Sequence, residues 1–178
     1  LRMLGHAVWR SAVLIALAIF LISPWGRQTN FSFTTVLAQI GLGYVFVVLL
    51  RGRGIAVQSA AALAILAGYW ALFALWPLPP SGFDYATVGV PPDWFQQHGL
   101  TGFWAHWNKN TNVAAWFDTW FLNLFPREKP FVFEPGGYQT LNFVPSMATM
   151  IFGLMAGELL RSARRPREKV AFLALAGL

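Results

Sequence analysis

The sequence has 178 residues, of which 56% are hydrophobic and 11% are charged, and its formal net charge is +6. Ordinary globular domains carry about 25% charged residues, so this composition excludes a water-soluble surface over most of the chain. Cysteine is absent, which excludes a disulfide framework, a thiolate metal site and a cysteine nucleophile. The apolar residues are gathered into runs, and a helical run of about 20 residues crosses the hydrocarbon core of a bilayer.

Four apolar runs have this length, and a fifth begins near the end of the chain. The four cover residues 3–22, 32–50, 55–76 and 141–160, and the fifth covers residues 170–178. They predict an all-α, polytopic transmembrane helix bundle, a single domain over residues 1–178 with a long outer loop at residues 77–140. Because the chain ends inside apolar sequence, we expect it to be the central part of a larger bundle. Its expected partners are then the lipid bilayer and the missing helices of the same protein, and a homo-oligomer is an alternative.

Basic residues segregate to one side of these spans. That side holds Arg2, Arg51, Arg53, Arg161, Arg164, Arg165, Arg167 and Lys169. The other side holds Arg27 and the long loop, in which five acidic residues outnumber three basic ones. Since Lys and Arg collect on the cytoplasmic side of short loops, the pattern places the long loop in the periplasm, lumen or exterior. Anionic lipid headgroups, and not nucleic acid, are the expected partners of the basic turn at residues 161–169.

Small residues form stripes on two of the predicted spans. Gly153 and Gly157 make a Gly-x-x-x-Gly pair that Thr149 continues at the same spacing. The third span carries a similar stripe, made of Ala60, Ala64, Ala67, Gly68, Ala71 and Ala74. Such stripes allow close approach of helix backbones, so both spans are predicted to be packed against neighbouring helices.

Two ionisable residues lie within the predicted spans. Arg10 is close enough to the cytoplasmic side for its side chain to reach the interface, and contact with an anionic ligand is the alternative. Glu158 lies three residues before Arg161, a spacing that predicts an ion pair on one helix face.

The long loop is rich in proline and tryptophan. Residues 76–82 turn the chain, and residues 112–125 predict a helix with Asn112 as its N-cap and Pro126 as its end. Its apolar face would lie flat on the outer membrane interface. The loop aromatics predict either interfacial anchoring or a stacking surface for a sugar ring. His98 and His106 are eight residues apart and match no zinc or catalytic motif, so no metal site is predicted.

Five segments resemble, in order, parts of the heparan-alpha-glucosaminide N-acetyltransferase family, which includes bacterial membrane proteins described as domains of unknown function. Arg10 with the apolar run after it resembles the family's span that follows a basic cytoplasmic turn. The stretch from residue 134 to 158, EPGGYQTLNFVPSMATMIFGLMAGE, resembles the family's segment leading into a late helix. LAQIG at residues 37–41 and LPPSG at residues 78–82 resemble a helix start and a proline turn. Residues 112–125 resemble a family helix, with Asp118 at its acidic position, whereas Ala38 and Thr119 depart from the family pattern.

The resemblance implies transfer of an acetyl group from cytoplasmic acetyl-CoA to an amino sugar or related saccharide on the far side of a bacterial cytoplasmic membrane. It implies that the catalytic histidine lies upstream of Leu1, so this segment alone is expected to be inactive. The expected residues of the saccharide site are Asn112, Asp118, Tyr138, Gln139 and Asn142. Arg10 and Gln39 are expected to contact acetyl-CoA within the bundle.

Two other functions stay open from the sequence. A multi-span transporter is the first, because Pro145 lies close to the start of the last full span, and helix interruptions of this kind line substrate paths. A structural membrane subunit is the second.

Overall fold

The computed structural model describes residues 2–24 and 28–177. The predicted outer position of Arg27, and the two terminal residues, lie outside the described residues. Within those ranges the chain is all-helical and has no strand. Its α-helices are α1 (Arg2–Ile22), α2 (Val36–Leu50), α3 (Ile55–Ala74), α4 (Pro92–His98), α5 (Val113–Phe121), α6 (Phe143–Arg161) and α7 (Pro166–Gly177).

Three helices in the described ranges are long and apolar enough to cross a membrane. They are α1, α3, and α6 together with the 3-10 turn Thr140–Asn142 that precedes it. Helix α2 is equally apolar but has 15 residues, which gives a rise of about 22 Å. It begins at Val36 because the Thr35 side chain caps it by accepting from the amide of Ala38, so the predicted run from residue 32 is shortened. The predicted all-helical fold is confirmed for the described residues and is compatible with a membrane helix bundle, while the number of complete spans stays a prediction.

Helices α1, α2, α6 and α3 pack in that order, each against the next, and we call this row of four the layer. Helix α1 runs antiparallel to α2, with Arg10 beside Tyr44 and Ala18 in one cluster with Ala38. Helix α2 runs parallel to α6, and α6 antiparallel to α3, where Gln58 meets Glu158. We call the end of the layer that holds residues 51–54 the basic end, and the end that holds residues 75–142 the loop end.

Helix α2 provides the close contacts of this layer through two glycines. A Cβ atom on Gly41 would lie 2.7 Å from Ile15 Cγ1, and one on Gly43 would lie 2.7 Å from Met147 Cγ. The Ser11 hydroxyl of α1 also donates a hydrogen bond to the Gly41 carbonyl. Glycine at residue 41 is therefore required for the close approach of α1, whose backbone also lies near, whereas the atoms nearest Gly43 belong to the flexible side chains of Met147 and Met150.

The small-residue stripes singled out from the sequence are placed differently. A Cβ atom on Gly153 or Gly157 would meet no atom within 4 Å among the described residues, and the same holds for Gly68. Helix α3 instead packs on α6 through the face that includes the buried residues Gln58, Ala62 and Phe73. Within the described chain the glycines of the two stripes contact no helix, and Ala62 and Ala148 beside the stripes form part of the α3–α6 contact, so packing of the stripes on neighbouring helices of a larger bundle stays a prediction.

Glu158 has partners other than the predicted Arg161. Its Oε1 accepts from the backbone amide of Gly52 at 3.1 Å, and its Oε2 accepts from Nε2 of Gln58 at 3.0 Å. The same Gln58 amide group also donates to the carbonyl of Leu50 at 3.1 Å. The carboxylate therefore joins the end of α6 to the turn between α2 and α3.

Helix α5 begins at the predicted cap. Oδ1 of Asn112 accepts from the amides of Ala114 and Ala115 at 3.1 and 3.0 Å. The helix ends at Phe121 and continues as a short 3-10 helix, Leu122–Leu124, before Pro126. Its buried residues include Ala114, Asp118 and Leu122, while Trp116, Trp120 and Leu124 are more than half exposed. The predicted apolar face is thus exposed at these three residues, while Val113 is buried and Phe121 packs against a buried cluster, and its contact with a membrane interface stays a prediction.

Candidate functional site

The loop end contains a cluster of buried polar side chains. They belong to Asn108, Asn110, Asn112, Asp118, Gln139 and Thr140, and none is more than 7% exposed. Burying polar groups is unfavourable unless they form hydrogen bonds, and most of these groups bond to the loop backbone. Asn108 pairs with both backbone groups of Leu100, accepting at 2.7 Å and donating at 3.0 Å. Asn110, which has a φ of 58°, donates to the Val88 carbonyl at 2.8 Å.

Asn112 connects two of the predicted site residues. Besides capping α5, its Oδ1 accepts from Nε2 of Gln139 at 3.1 Å. Its own Nδ2 donates to the Asn108 carbonyl at 3.1 Å. The predicted pair Asn112 and Gln139 is therefore brought together across 27 residues of sequence, in a network that fixes both side chains.

These amides line a cavity of about 310 Å³, which we call the loop pocket. Trp94, His98, Leu100, Trp107, Asn108, Lys109, Asn110, Asn112, Gly137 and Gln139 line it. The Lys109 ammonium lies 5.4 Å from the centroid of the Trp94 ring. Aromatic walls with a few fixed polar groups are typical of small-molecule sites. Amide groups both donate and accept, which suits a ligand that carries several hydroxyl groups.

Asp118 lies beside this network without lining the loop pocket. It is completely buried, and its two oxygens accept from the backbone amide of Thr140 at 3.2 and 3.0 Å. Burial raises the pKa of this carboxyl, while hydrogen bonding from Thr140 and the charge of Arg127 act in the opposite direction. The carboxyl group thus fixes the point where the loop turns into α6.

A second polar group lies deeper, between α2, α3 and α6. The Tyr69 hydroxyl donates to Oδ1 of Asn142 at 3.3 Å. The Ser146 hydroxyl lies 2.7 Å from Oε1 of Gln39 and 2.9 Å from the Asn142 carbonyl, so it can donate to either. Nε2 of Gln39 donates to the Thr34 carbonyl at 3.1 Å. We call Gln39, Tyr69, Asn142 and Ser146 the polar chain.

The polar chain brings together residues that the sequence assigned to different ligands. Gln39 was expected to contact acetyl-CoA and Asn142 to contact the saccharide, yet both contact Ser146. Sequence reasoning missed Ser146 and Tyr69. For Ser146 a signal was available, because it lies four residues after Asn142 and therefore on the same face of α6.

The basic end holds a different cavity, of about 470 Å³, which we call the basic cavity. It is lined by Met3, His6, Ala7, Arg10, Tyr44, Val47, Val48, Arg51 and Leu154. Arg10 donates to the Tyr44 hydroxyl at 3.3 Å, which holds the guanidinium at the wall of the cavity. The lining includes two guanidinium groups and an imidazole but no carboxylate, so the cavity favours anions. His6 was missed, although it precedes Arg10 by four residues on one helix face.

The remaining predicted site residue, Tyr138, does not line the loop pocket. Its side chain is 63% exposed, and its backbone amide donates to Oε2 of Glu134 at 2.9 Å. His98 lines the pocket, whereas Nδ1 of His106 lies 2.7 Å from the Trp76 carbonyl oxygen. No group of three His, Cys, Asp or Glu residues that could hold a metal ion occurs in the described part of the chain.

Comparison with protein-family profiles, curated proteins and solved structures gives no match to this chain. The family resemblance therefore stays a prediction.

Proposed function

We propose that this chain is part of a membrane-embedded acyltransferase. An acetyl group passes from acetyl-CoA at the basic end to an amino sugar or related saccharide at the loop end. The membrane is a bacterial cytoplasmic membrane, with the basic end in the cytoplasm and the loop in the periplasm. One observation carries the proposal: two cavities of different chemistry, one cationic and one amide-lined and aromatic, lie at opposite ends of one helical layer.

The basic cavity supports a donor that carries phosphate groups. Guanidinium groups bind phosphate oxygens through charge-assisted hydrogen bonds, often in pairs, and Arg10 and Arg51 line the same cavity. Met3, Val47 and Leu154 provide apolar wall for the uncharged part of a donor molecule. Coenzyme A combines these features, since a flexible, uncharged arm joins its phosphates to the acyl group.

The loop pocket supports a saccharide acceptor. The faces of a sugar ring that carry C–H groups can stack on Trp94 or Trp107, while its hydroxyl groups bond to the amides of Asn112 and Gln139. The hydrogen bond between these two amides orients them before a ligand arrives. Such a fixed arrangement reduces the entropic cost of binding.

In the reaction, the amine or hydroxyl of the acceptor attacks the thioester carbonyl. A carbon–nitrogen or carbon–oxygen bond forms, the carbon–sulfur bond breaks, and the acceptor's proton passes to a general base while the thiolate of coenzyme A takes up a proton. The family resemblance implies that the base is a histidine upstream of Leu1. Among the described residues, the proposal assigns binding roles and no catalytic role.

The test is acetyl transfer across a membrane. The full-length protein is reconstituted in vesicles, labelled acetyl-CoA is supplied at the basic side, and a panel of amino sugars is enclosed on the loop side. Acetylated sugar on the loop side is the expected product, and Arg51→Gln should raise the KM for acetyl-CoA. Arg53→Gln changes the same charge in the same turn outside the cavity and should leave that KM unchanged.

The loop pocket is tested separately in the same assay. Trp94→Ala should raise the KM for the sugar with little change in the KM for acetyl-CoA, while Trp104→Ala, an exposed tryptophan outside the pocket, is the matched control. A protein that neither binds acetyl-CoA nor transfers acetyl to any sugar would rule out the enzyme.

A transporter is the second candidate, and the polar chain favours it. The side chains of Gln39, Tyr69 and Asn142 place polar atoms between apolar helices, which is how substrate paths through membranes are lined. Uptake of unmodified labelled sugar into vesicles without acetyl-CoA would favour this function. Strict dependence on acetyl-CoA, with a modified product, would favour the transferase.

A further inference from the structure

A third cavity lies at the basic end, between α6, α7 and the start of α3. It has a volume of about 440 Å³, and we call it the α6–α7 groove. Ile55, Phe152, Met155, Ala156, Leu159, Arg164, Phe172, Leu173 and Ala176 line it. Arg164 is the charged residue among them, and the other lining residues are apolar.

Arg164 lies over one wall of the groove. Its guanidinium carbon is 4.7 Å from the centroid of the Phe172 ring, a cation–π distance. Phe172 itself is 49% exposed and Phe152 is 48% exposed, so both rings offer apolar surface to a ligand. An arginine beside an apolar groove provides two kinds of contact, one for an anionic head and one for a hydrocarbon tail.

The surrounding charge has one dominant sign. The segment from residue 161 to 169 contains five basic residues and one acidic residue, Glu168. Each basic side chain near a membrane surface attracts anionic lipid with about 1 kcal/mol. The Lys169 ammonium donates a hydrogen bond to the carbonyl of Leu160 at 2.7 Å. This bond joins the end of α6 to the first turns of α7.

We infer that the α6–α7 groove binds an anionic phospholipid, with the acyl chains along the apolar walls and the phosphate at Arg164. The charge of the turn favours this occupant over a zwitterionic lipid. An apolar helix, whether from the same protein or from a second copy, would fill the walls but give Arg164 no anionic partner. The inference is independent of the acyltransferase proposal, because the groove shares no lining residue with the basic cavity or the loop pocket.

The test uses the purified full-length protein in a mild detergent, mixed with equal amounts of phosphatidylglycerol and phosphatidylcholine. Native mass spectrometry measures how much of each lipid stays bound. The wild-type protein should retain phosphatidylglycerol in excess, and Arg164→Gln should reduce that excess about tenfold, because the variant loses a charge-assisted hydrogen bond to the lipid phosphate. Arg53→Gln removes an equal charge from the α2–α3 turn, outside the groove, and should leave the excess unchanged.

A second variant tests the apolar walls without changing charge. Ala176→Trp fills part of the groove and should lower retention of both lipids, with unchanged helical circular dichroism as the folding control. Equal losses from Arg164→Gln and Arg53→Gln would show attraction to diffuse surface charge and overturn the inference. So would unchanged lipid retention in Ala176→Trp together with loss of a dimer, which would identify the groove as an interface between copies.

Discussion

The close contact between α1 and α2 gives the sharpest stability prediction. A Cβ atom on Gly41 would lie 2.7 Å from Ile15 Cγ1, 3.1 Å from the Ser11 carbonyl oxygen and 3.3 Å from the Ile15 amide nitrogen. Two of these three atoms belong to the α1 backbone, which cannot move aside as a side-chain end can. The variant Gly41→Ala must therefore push the two helices apart.

The magnitude follows from two opposing effects. Overpacking a tight contact costs about 1 to 3 kcal/mol. Alanine is favoured over glycine inside a helix by up to about 1 kcal/mol, which offsets part of that cost. Separation of the helices also weakens the hydrogen bond from Ser11 to the Gly41 carbonyl, and interhelical bonds of this type in membranes contribute about 0.6 kcal/mol. The net expectation for Gly41→Ala is a loss of up to about 2.5 kcal/mol.

The assay compares this variant with Gly153→Ala. Both changes add one methyl group inside a helix, but the methyl group at residue 153 would meet no described atom within 4 Å. Thermal and denaturant unfolding in detergent, followed by tryptophan fluorescence, should show a lower free energy of unfolding for Gly41→Ala. For Gly153→Ala the free energy of unfolding should be unchanged or slightly higher, because alanine is favoured over glycine inside a helix. A greater loss for Gly153→Ala than for Gly41→Ala would refute the reasoning, because it would place the tightest helix contact on the Gly153 face.

Predictions for three further residues follow from their hydrogen bonds or from their burial, and the same unfolding assay tests each one. Glu158→Ala removes the acceptor of two hydrogen bonds, one of them from the fully buried Gln58, and should lower the free energy of unfolding by about 2 to 4 kcal/mol. Glu158→Gln should lower it less. Equal losses of stability in the two variants would contradict the role of the charge. Asn112→Ala removes the α5 cap and the bond from Gln139 and should cost about 1 to 3 kcal/mol, whereas a neutral effect would count against this cap. For Asp118, burial raises the folded-state pKa, so the folded protein binds the proton more readily and this group adds stability as the pH falls through the folded pKa. The stability of wild type relative to Asp118→Asn should therefore rise towards low pH, and a difference that does not depend on pH would contradict this account.

The sequence predicts the helices well because their signals are local. The apolar runs, the cap at Asn112 and the stop at Pro126 depend on residues within one or two turns of each other. The observed bounds of a helix differ from the predicted ones where a capping residue sets its start. Thr35 caps α2, so the helix begins later than the apolar run that predicted it. Helix α7 likewise begins at Pro166, since proline suits the first turn of a helix.

Helix neighbours could not be predicted from the same signals. A Gly-x-x-x-Gly spacing shows that one face of α6 is smooth, but it does not show which helix lies opposite. Gly41 and Gly43 lie only two residues apart and so face different neighbours, α1 and α6, a pattern that no single-face motif describes. Glu158 is a similar case, because its partners Gly52 and Gln58 are about a hundred residues away in sequence.

The candidate site was predicted only in part, because its contacts also join residues that are far apart in sequence. Asn112 and Gln139 could be singled out as polar residues in an aromatic loop, but their hydrogen bond depends on the long-range folding of that loop. Ser146 was passed over because a serine in an apolar helix often bonds only to its own backbone. Its contact with Gln39 becomes visible only when α2 is placed beside α6.

Polar residues at and just before the start of α6 link the loop pocket to the interior of the layer. Gln139 is extended and precedes the 3-10 turn Thr140–Asn142, and Asn142 is joined to Ser146 of α6 by the hydrogen bond from the Ser146 hydroxyl to the Asn142 carbonyl. The first lines the loop pocket, and the last reaches Gln39 on α2. Tyr44, which lines the basic cavity, lies five residues further along α2, about 7.5 Å along the helix axis. The flexible arm of a donor in the basic cavity would therefore have to extend about 7.5 Å along the helix axis from Tyr44 to reach Gln39, which is much less than the ~30 Å of the hydrocarbon core. This spacing is the reason that a transfer reaction suits the two cavities better than two unrelated binding sites.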